Sequence, residues 1–407
     1  MNSIKPHFIL ANAKSGSRSF ELDVQLKIAN IAWDRVWKSK IEKALYFLKN
    51  CNSQRATPNL VFDLSTISSR MAELGGLQTR FKCCPLMALK SFPFPQVIEL
   101  ASKYLAGFDV SNWNEYSNIS GLNSNTDIFL SNPVLEQSID KYLSCGCNLK
   151  VLADSPHQLS FLQSRAFTQY GVRLNAVSIL DSVGLRDASF YSISRFGMTP
   201  DEVVNYCRKN RNHGLKGIHL HHGSEKNTFL GYKTLAEVSA KLAEKAGVNF
   251  QFLNIGGGMH NLPLSKVTEL IQEIRSFLND ETTIYIEPGR YYSVGAGFAS
   301  GIIQNAFERE GILYLITELS SKCHLRWSEP KLILPIPEKA NGMKVIRICG
   351  PSCYESDFIG QYYVPDHPTI EKCFKVGKRI KFANVSGYSA AWNTGFNGIN
   401  PAQIKFI

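Results

Sequence analysis

The sequence predicts an α/β protein in which a (β/α)8 barrel is followed by a mostly β domain. Eight short apolar runs lie between residues 83 and 287, and segments of helical period separate them. After about residue 296 this alternation stops, and strand-like runs follow one another with few helical periods between them. Eight strands that alternate with helices are the number that closes a TIM barrel. We therefore expect a barrel first and a β-barrel or β-sandwich domain second.

The eight apolar runs have the lengths expected of buried strands. They lie at residues 83–89, 108–110, 127–130, 150–153, 172–174, 217–220, 250–255 and 283–287. Residues 235–246 and 264–278 each carry one apolar face at helical spacing. Lys90, His221, Gly256 and Glu287 stand at the ends of runs, where barrels of this kind carry their active sites.

The flanking segments divide the chain into three parts. Residues 1–57 form an N-terminal segment that we expect to join the β domain in part; within it, residues 20–37 predict a strand followed by an amphipathic helix. A short strand at residues 59–64 leads into a helix with Ser65 as the expected N-cap. The barrel domain is assigned to residues 58–297 and the C-terminal β domain to 298–407, with strands at 301–317, 344–349 and 379–384.

The composition is that of a globular protein, with 44% hydrophobic and 19% charged residues among 407. An apolar run of membrane-spanning length and a signal-peptide pattern are both missing from the sequence, so we expect a cytoplasmic protein with no membrane partner. The net charge of +11 is spread along the chain, which disfavours a nucleic-acid polymer as partner and favours a small anionic ligand.

The ten cysteines are scattered, and a reducing cytosol keeps such residues as thiols. Cys145 and Cys147 form the one close pair that suggests a metal, but no second pair stands at zinc-ligand spacing. We therefore predict no metal site.

The residue types at the strand ends suggest a bound cofactor with a phosphate. Lys90 after an apolar run is by itself most often a surface lysine, but in a barrel mouth its amine can form a Schiff base. Glu287 can keep a pyridine nitrogen protonated, and Arg290, across the turn Glu-Pro-Gly-Arg, can bind phosphate oxygens. Gly256, Gly257 and Gly258 allow backbone amides to approach a phosphate, although a glycine triplet alone is as well explained by a tight turn.

The stretch His221-His222-Gly223-Ser224 leaves two interpretations open. His221 can stack on an aromatic ring and Ser224 can reach a phosphate oxygen, or either histidine can be a buried core imidazole.

Taken together, these stretches resemble the fold-type III pyridoxal-phosphate decarboxylases, which include diaminopimelate, ornithine, arginine and carboxynorspermidine decarboxylases. The resemblance covers roughly residues 57–405. Its motifs lie at residues 57–63, 88–90, 107–111, 194–197, 221–224, 254–258, 287–290, 350–357, 387–388 and 396–398.

The resemblance implies a barrel of the alanine-racemase type, the cofactor pyridoxal 5'-phosphate, and a role for each matching residue. Lys90 would carry the cofactor and His221 would stack on its ring, while Glu287 would pair with the pyridine nitrogen. The residues that would hold the phosphate are Ser224, Gly256, Gly257, Gly258, Arg290 and Tyr388, with Asp109 and Arg173 near the lysine and ring.

The same resemblance implies a head-to-tail homodimer with shared active sites. Cys353 would return a proton to the substrate carbon and Asp357 would hold the distal end of the substrate, both reaching the site from the partner subunit. Tyr354, Glu355 and His324 are the other expected substrate-binding residues.

Departures from the family pattern bear on the substrate. Diaminopimelate and ornithine decarboxylases carry an acid directly after the cysteine, where this chain has Tyr354, and a tyrosine cannot supply that charge. Ser91-Phe92 and the segment 316–324 resemble the carboxynorspermidine branch instead. We therefore expect a substrate with a 3-amino-3-carboxypropyl group, either a carboxynorspermidine-like polyamine precursor or an aminocarboxypropyl nucleotide of the microcin C type of antibiotic.

Three alternatives stay open at this point. The chain could be a diaminopimelate or an ornithine/lysine decarboxylase, or a catalytically inactive regulatory homologue. An amino-acid racemase is disfavoured, because racemases of this fold place an arginine at the pyridine nitrogen and a tyrosine as second base, whereas Glu287 and Cys353 stand here.

Overall fold

The computed structural model describes residues 8–11, 58–122, 126–142, 147–165, 167, 169–185, 194–210, 214–222, 228–335, 337 and 341–407. The predicted strand and helix at residues 20–37, as well as Ser224 and Cys145, lie outside these residues. The described residues form two compact units, one within residues 68–292 and the other within residues 1–67 and 293–407. None of the described helices has the length and apolar character that crossing a membrane requires.

Ten described strands precede residue 287, and eight of them form the barrel. They are β1 (Phe8–Ala11), β2 (Asn59–Phe62), β3 (Cys83–Ala88), β4 (Gly107–Val110), β5 (Asp127–Ser131), β6 (Asn148–Ala153), β7 (Tyr170–Leu174), β8 (Leu215–Leu220), β9 (Phe252–Asn254) and β10 (Thr283–Ile286). Strands β3 to β10 form a closed, fully parallel barrel, in which β10 pairs with β3. The predicted (β/α)8 barrel is confirmed, and each of its strands overlaps one of the eight apolar runs.

Helices connect the barrel strands and bury their apolar faces. They are α1 (Leu64–Gly75), α2 (Leu77–Phe81), α3 (Pro95–Tyr104), α4 (Trp113–Ser117), α5 (Ile139–Tyr142), α6 (Pro156–Ser164), α7 (Ala176–Ser182), α8 (Pro200–Lys209), α9 (Thr228–Ala246) and α10 (Leu264–Arg275). Helix α10 buries Val267, Leu270, Ile271 and Ile274, the face expected from its spacing. At the start of α1 the capping side chain is Asp63, which accepts hydrogen bonds from Ser65 N and Thr66 Oγ1, so the predicted Ser65 cap is wrong.

The barrel interior is filled by side chains in layers. One cluster in it consists of six buried residues: Cys84, Leu86, Phe129, Leu152, Phe252 and Tyr285. Near the amino-terminal end of the strands, Lys150 Nζ contacts Asp127 Oδ1 at 2.6 Å, and Tyr285 donates a hydrogen bond to Asp127 Oδ2 at 2.7 Å. These side chains fill the amino-terminal end of the barrel interior, and the polar side chains at the carboxyl ends of the strands line its other end.

The second unit is built on a mixed nine-stranded sheet, which confirms the predicted β-rich domain. Its further strands are β11 (Gly297–Arg309), β12 (Ile312–Thr317), β13 (Lys331–Pro335), β14 (Met343–Cys349), β15 (Phe358–Pro365), β16 (Arg379–Ala383) and β17 (Gln403–Phe406), with two short helices, α11 (Pro368–Glu371) and α12 (Gly387–Ala391). The strand order is β1-β13-β16-β11-β12-β14-β15, while β2 pairs with β11 and β17.

Strands β1 and β2 belong to this second sheet. Phe8–Ala11 pairs antiparallel with β13, and Asn59–Phe62 lies between β11 and β17. Residues 58–67, which the sequence assigns to the barrel domain, therefore group with the second unit, and so do residues 293–297. The physical reason is that a strand buried on both faces has the same apolar pattern in either sheet.

Candidate active site

Lys90 and Asp109 form an ion pair at the carboxyl ends of two neighbouring strands. Lys90 lies in a 3-10 turn, Leu89–Ser91, directly after β3, and Asp109 is the third residue of β4. Lys90 Nζ is 2.9 Å from Asp109 Oδ2; the lysine side chain is 43% exposed and that of Asp109 is 1% exposed. The amine is therefore held at a fixed place while remaining accessible.

The Asp109 carboxylate is in an environment that disfavours its charge. Burial and the nearby Glu287 raise its pKa, while Lys90 partly offsets both effects. Ser131 Oγ contacts the second oxygen of Asp109 at 3.3 Å. Because the carboxylate depends on the lysine for its charge balance, the two side chains act as one unit.

Glu287 follows β10 directly and is buried. Asn254, the last residue of β9, donates a hydrogen bond from Nδ2 to Glu287 Oε1 at 2.7 Å. The described residues make no hydrogen bond to the other oxygen, Oε2. One oxygen is thus fixed by the protein, and the other is available to a ligand.

Two histidines stand beside Glu287 at the end of β8. The rings of His219 and His221 lie nearly parallel, with centroids 6.3 Å apart and 17° between their planes. Burial, and next the charge of Arg173, lowers the pKa of each histidine to about 3. Both imidazoles are therefore neutral at neutral pH, which suits stacking on a ring without adding charge.

The glycine turn after β9 brings backbone against these groups. Gly256 has φ of +66° and Gly258 has φ of +87°, values that L side chains rarely adopt. A Cβ at Gly256 would lie 2.6 Å from His221 Nδ1 and 2.7 Å from the Leu220 carbonyl oxygen. A Cβ at Gly257 would lie 2.4 Å from the Glu287 carbonyl oxygen. Glycine is thus required here because the ends of β8, β9 and β10 approach one another closely. An ordinary turn would not require it.

Arg290 and Arg173 supply positive charge around this turn. Arg290 Nη1 is 3.0 Å from His260 Nε2, two residues beyond the glycine triplet. Arg173 on β7 has its Nε 4.0 Å from Asp154 Oδ1, and its guanidinium lies 4.4 Å from the centroid of the Phe196 ring. Burial lowers the pKa of Arg173, while Asp154 and Glu287 oppose that shift.

The predicted site residues divide between the two units. The barrel unit brings together Lys90, Asp109, Arg173, His221, Gly256, Gly257, Gly258, Glu287 and Arg290. The second unit contains Tyr388, Cys353, Tyr354, Glu355, Asp357 and His324. Tyr388 lies at the start of α12, where its ring packs edge-on against Trp327 with centroids 5.2 Å apart.

Cys353, Tyr354 and Glu355 are exposed in the loop between β14 and β15, whereas Asp357 turns inward. The Asp357 carboxylate accepts hydrogen bonds from the Ser320, Ser321 and Ser352 hydroxyls and from the Ser321 amide. Asp357 is buried and these contacts fix the loop, while its contact with the substrate stays a prediction.

His324 is enclosed in a similar way. Its ring is fully buried, Nδ1 accepts a hydrogen bond from the Ser320 amide at 3.1 Å, and Nε2 lies 3.0 Å from the Asn400 carbonyl oxygen. Both ring nitrogens are satisfied by backbone, which is the arrangement of a core histidine. The substrate contact expected of His324 from the sequence stays a prediction.

Exposed aromatic rings and two cations contact one another in the second unit, and one of these rings is that of Tyr354, which follows Cys353. The ring of Tyr354 packs edge-on against that of Phe396, and Lys322 Nζ lies 5.5 Å from the centroid of the Tyr354 ring. Arg326 lies 4.8 Å from the ring of Trp392. We call Lys322, Arg326, Tyr354, Trp392 and Phe396 the aromatic-cationic surface. Beside it runs a groove of about 300 Å³, lined by residues that include Lys322, Arg326, Trp327 and Phe358.

Four residues with a place in the barrel site were not assigned a role from the sequence. Asn254 holds Glu287, His219 lies beside it, and Asp154 lies beside Arg173. The fourth, Glu115, is a partly buried carboxylate whose pKa is raised by burial and lowered by the Ser111 amide and by Lys90. His219 has a usable signal, because it precedes His221 by two positions and strand residues two apart share a face.

These residues fit pyridoxal phosphate. Lys90 offers an amine for the aldehyde of the cofactor, and Glu287 offers one free carboxylate oxygen for the protonated pyridine. The neutral imidazole rings suit the aromatic face, and Arg290 and the glycine turn suit the phosphate. The ligand atoms of His219, His221 and Glu287 also lie within 4.8 Å of one another, as in a metal site. A cofactor ring accounts for the same cluster together with Lys90.

Comparisons with known proteins agree with this fit. Residues 64–294, more than half of the chain, match the family model described as pyridoxal-dependent decarboxylase, pyridoxal binding domain. The chain is 22% identical over 369 residues to diaminopimelate decarboxylase of Thermoplasma acidophilum, covering 84% of this chain and 85% of that protein. It is 22% identical over 357 residues to carboxynorspermidine/carboxyspermidine decarboxylase of Herminiimonas arsenicoxydans, covering 86% and 93% respectively.

Among solved structures, the arginine decarboxylase of Paramecium bursaria Chlorella virus is similar in fold. Its TM-score is 0.73 at 18% identity, and the match covers 90% of this chain and 100% of that one. The barrel, the residues at its carboxyl end and the family match together identify the chain as a member of the fold-type III pyridoxal-dependent decarboxylases, an amino-acid decarboxylase that uses pyridoxal phosphate.

Proposed function

We propose that this decarboxylase acts on a 3-amino-3-carboxypropyl group and leaves an aminopropyl group. The observation that carries the proposal is Tyr354, which follows Cys353 and is 54% exposed. A site for a basic amino acid needs a carboxylate at its distal end, because an ammonium group must be paired when it leaves water. Tyr354 cannot supply that charge, and the nearby Asp357 is engaged by serines.

The aromatic-cationic surface supports a substrate whose distal part is aromatic and anionic. Lys322 contacts the exposed ring of Tyr354 and Arg326 contacts that of Trp392, and both cations line the groove. Glu355 is the exposed acid of this loop. Two cations against one acid, together with rings that a base can stack on, favour an aminocarboxypropyl nucleotide over a polycationic polyamine. The relative named carboxynorspermidine/carboxyspermidine decarboxylase supports the carboxy-bearing aminopropyl group that both candidates share.

This proposal gives each barrel residue a role. Lys90, paired with Asp109, would carry the cofactor. Asn254 fixes one oxygen of Glu287, and the other would hold the proton of the pyridine nitrogen. His221 would stack on the cofactor ring, and the amides at Gly256–Gly258 with Arg290 would hold the phosphate. When bound, pyridoxal phosphate supplies an electron sink for the electron pair that the departing carboxylate leaves behind.

Proton return completes the reaction. We propose that Cys353 of the partner subunit gives its thiol proton to the substrate carbon, in a homodimer with shared active sites. Mixing a Lys90→Ala protein with a Cys353→Ala protein, each inactive alone, would then restore part of the activity by forming one intact site per mixed dimer. If the mixture stays as inactive as its components, the shared site is wrong.

The substrate is tested by carbon dioxide release from a panel. It contains diaminopimelate, ornithine, lysine, carboxynorspermidine and an aminocarboxypropyl nucleotide. We expect the highest kcat/KM for the nucleotide or for carboxynorspermidine. Activity confined to ornithine or lysine would contradict the proposal, and solvent deuterium exchange at the α-carbon without carbon dioxide release would indicate a racemase.

A pair of variants at Tyr354 sharpens this test. Tyr354→Asp places an acid after Cys353, so we expect kcat/KM to rise for lysine or ornithine and to fall for the nucleotide. Tyr354→Phe retains the ring and is the matched control, which we expect to stay close to the wild type on every substrate. Equal losses in both variants on every substrate would mean that Tyr354 does not choose the distal group.

A further inference from the structure

His219 occupies a central place in the polar layer of the barrel, although the sequence motifs give it no role. It is the fifth residue of β8, in register with Arg173 on β7 and with Asn254 on β9. Gly217, two residues earlier, shares its face of the strand and packs so closely on the Phe252 ring that a Cβ there would lie 2.4 Å from it. His219 therefore faces the barrel interior one layer above that ring.

The ring of His219 is buried without the hydrogen bonds that a buried ring normally makes. It is 2% exposed, and neither ring nitrogen has a hydrogen-bond partner among the described residues. Its Nε2 lies 3.6 Å from Glu287 Oε1, the oxygen that already accepts a hydrogen bond from Asn254 at 2.7 Å. A buried, unsatisfied imidazole costs free energy, and such groups in native proteins usually have a functional reason.

The groups around His219 keep it neutral and aim it at Glu287. Burial, Arg173 and Lys90 disfavour a charge on its ring, while Asp109 and Glu287 are the acids beside it. A neutral imidazole can donate one hydrogen bond without adding a positive charge that would compete with a protonated pyridine for the carboxylate. Asn254 is neutral as well, so neither donor adds a positive charge that would compete with the ligand for Glu287.

We propose that His219 is a positioning residue, which acts with Asn254 to hold Glu287 Oε1 so that Oε2 faces the pyridine nitrogen of the cofactor. The inference rests on the cofactor of the family and not on the proposed substrate. It assigns a common task to two residues from neighbouring strands. The 3.6 Å distance between His219 Nε2 and Glu287 Oε1 then shortens to that of a hydrogen bond in the cofactor-bound enzyme.

The test uses purified enzyme without substrate and three variants. His219→Phe keeps a ring of similar size and loses both nitrogens, His219→Gln keeps a donor, and His222→Phe removes another buried histidine, whose ring packs against Tyr232. The readouts are the dissociation constant of pyridoxal phosphate from the apoenzyme, the pH dependence of the cofactor absorption spectrum, and the unfolding temperature.

We expect His219→Phe to bind the cofactor about tenfold more weakly, the size of one hydrogen bond to a charged group. The pH at which its spectrum changes should fall, because a misplaced carboxylate protects the pyridine proton less well. His219→Gln should restore most of both properties, and His222→Phe should leave the spectrum unchanged even if its unfolding temperature falls.

Three results would overturn the proposal. The first is a His219→Phe enzyme with wild-type cofactor affinity and spectrum. The second is an equal loss in His219→Phe and His219→Gln that follows the unfolding temperature alone, which would mean a structural role. The third is tight binding of Zn²⁺ by the apoenzyme that is lost in His219→Phe while cofactor affinity is unchanged. Because no substrate is present, a wrong substrate assignment cannot produce any of these results.

Discussion

Replacing Gly256 by alanine tests whether the glycine turn shapes the cofactor site or is an ordinary turn. Two separate costs are expected. An alanine at φ of +66° is strained by about 1–2 kcal/mol. In addition, its Cβ would lie 2.6 Å from His221 Nδ1 and 2.7 Å from the Leu220 carbonyl oxygen, closer than real Cβ atoms approach.

The second cost falls on the cofactor. The carbonyl belongs to backbone and cannot move far, so His221 and the turn must move apart. Overpacking of this kind typically costs about 1–3 kcal/mol. If His221 stacks on the cofactor ring, part of that cost appears in binding, and about 1.4 kcal/mol corresponds to a tenfold weaker dissociation constant.

Gly247 provides the matched control for this substitution. It has φ of +65°, and a Cβ there would meet nothing within 4 Å. Gly247→Ala should therefore destabilise the protein to the same extent through backbone strain and leave cofactor binding unchanged. The assay is fluorescence titration of each apoenzyme with pyridoxal phosphate, together with urea unfolding. Equal cofactor affinity in the two variants would refute the reasoning.

Two further predictions concern buried charge. Because the folded pKa of His219 is about 3, below its unfolded value, the unfolded chain takes up a proton that the folded chain refuses as pH falls below 6.5. Between pH 7.5 and 5.5, the unfolding free energy of the cofactor-free wild type, measured in urea, should fall by about 1.4 kcal/mol more than that of His219→Phe. If the unfolding free energies of both proteins change equally with pH, the imidazole is exposed to water. Lys150→Met leaves Asp127 without its cation, so the unfolding free energy should fall by about 3–5 kcal/mol while the spectrum at saturating cofactor stays unchanged. A stability unaffected by that change would mean that the pair is not buried.

The barrel could be predicted from the sequence because its strands are short apolar runs that end in polar residues. Residues 283–287 illustrate this: Ile284 and Ile286 fill the wall, and Glu287 follows at the carboxyl end. The same pattern could not tell that Asn59–Phe62 belongs to the other sheet, since a strand buried on both faces is apolar in either place.

The candidate site was predictable for residues at strand ends and much less so for loops. Asp357 and His324 match family motifs, yet their partners include Ser320 and the Asn400 carbonyl, which the fold brings to them from distant positions. No local pattern signals such contacts. His219 lies between these cases, because the alternation of a strand places it on the inward face with His221, but its neighbours Glu287 and Asn254 come from other strands.

The central claim is that Lys90 carries the cofactor, and reduction with borohydride tests it most directly. Holoenzyme is reduced, digested and examined by mass spectrometry for the peptide that contains a pyridoxyl group. We predict that the group is on Lys90 and that Lys90→Ala shows no fixed cofactor and no absorbance of a lysine-bound cofactor. A pyridoxyl group on another lysine, or wild-type protein without any, would contradict the assignment.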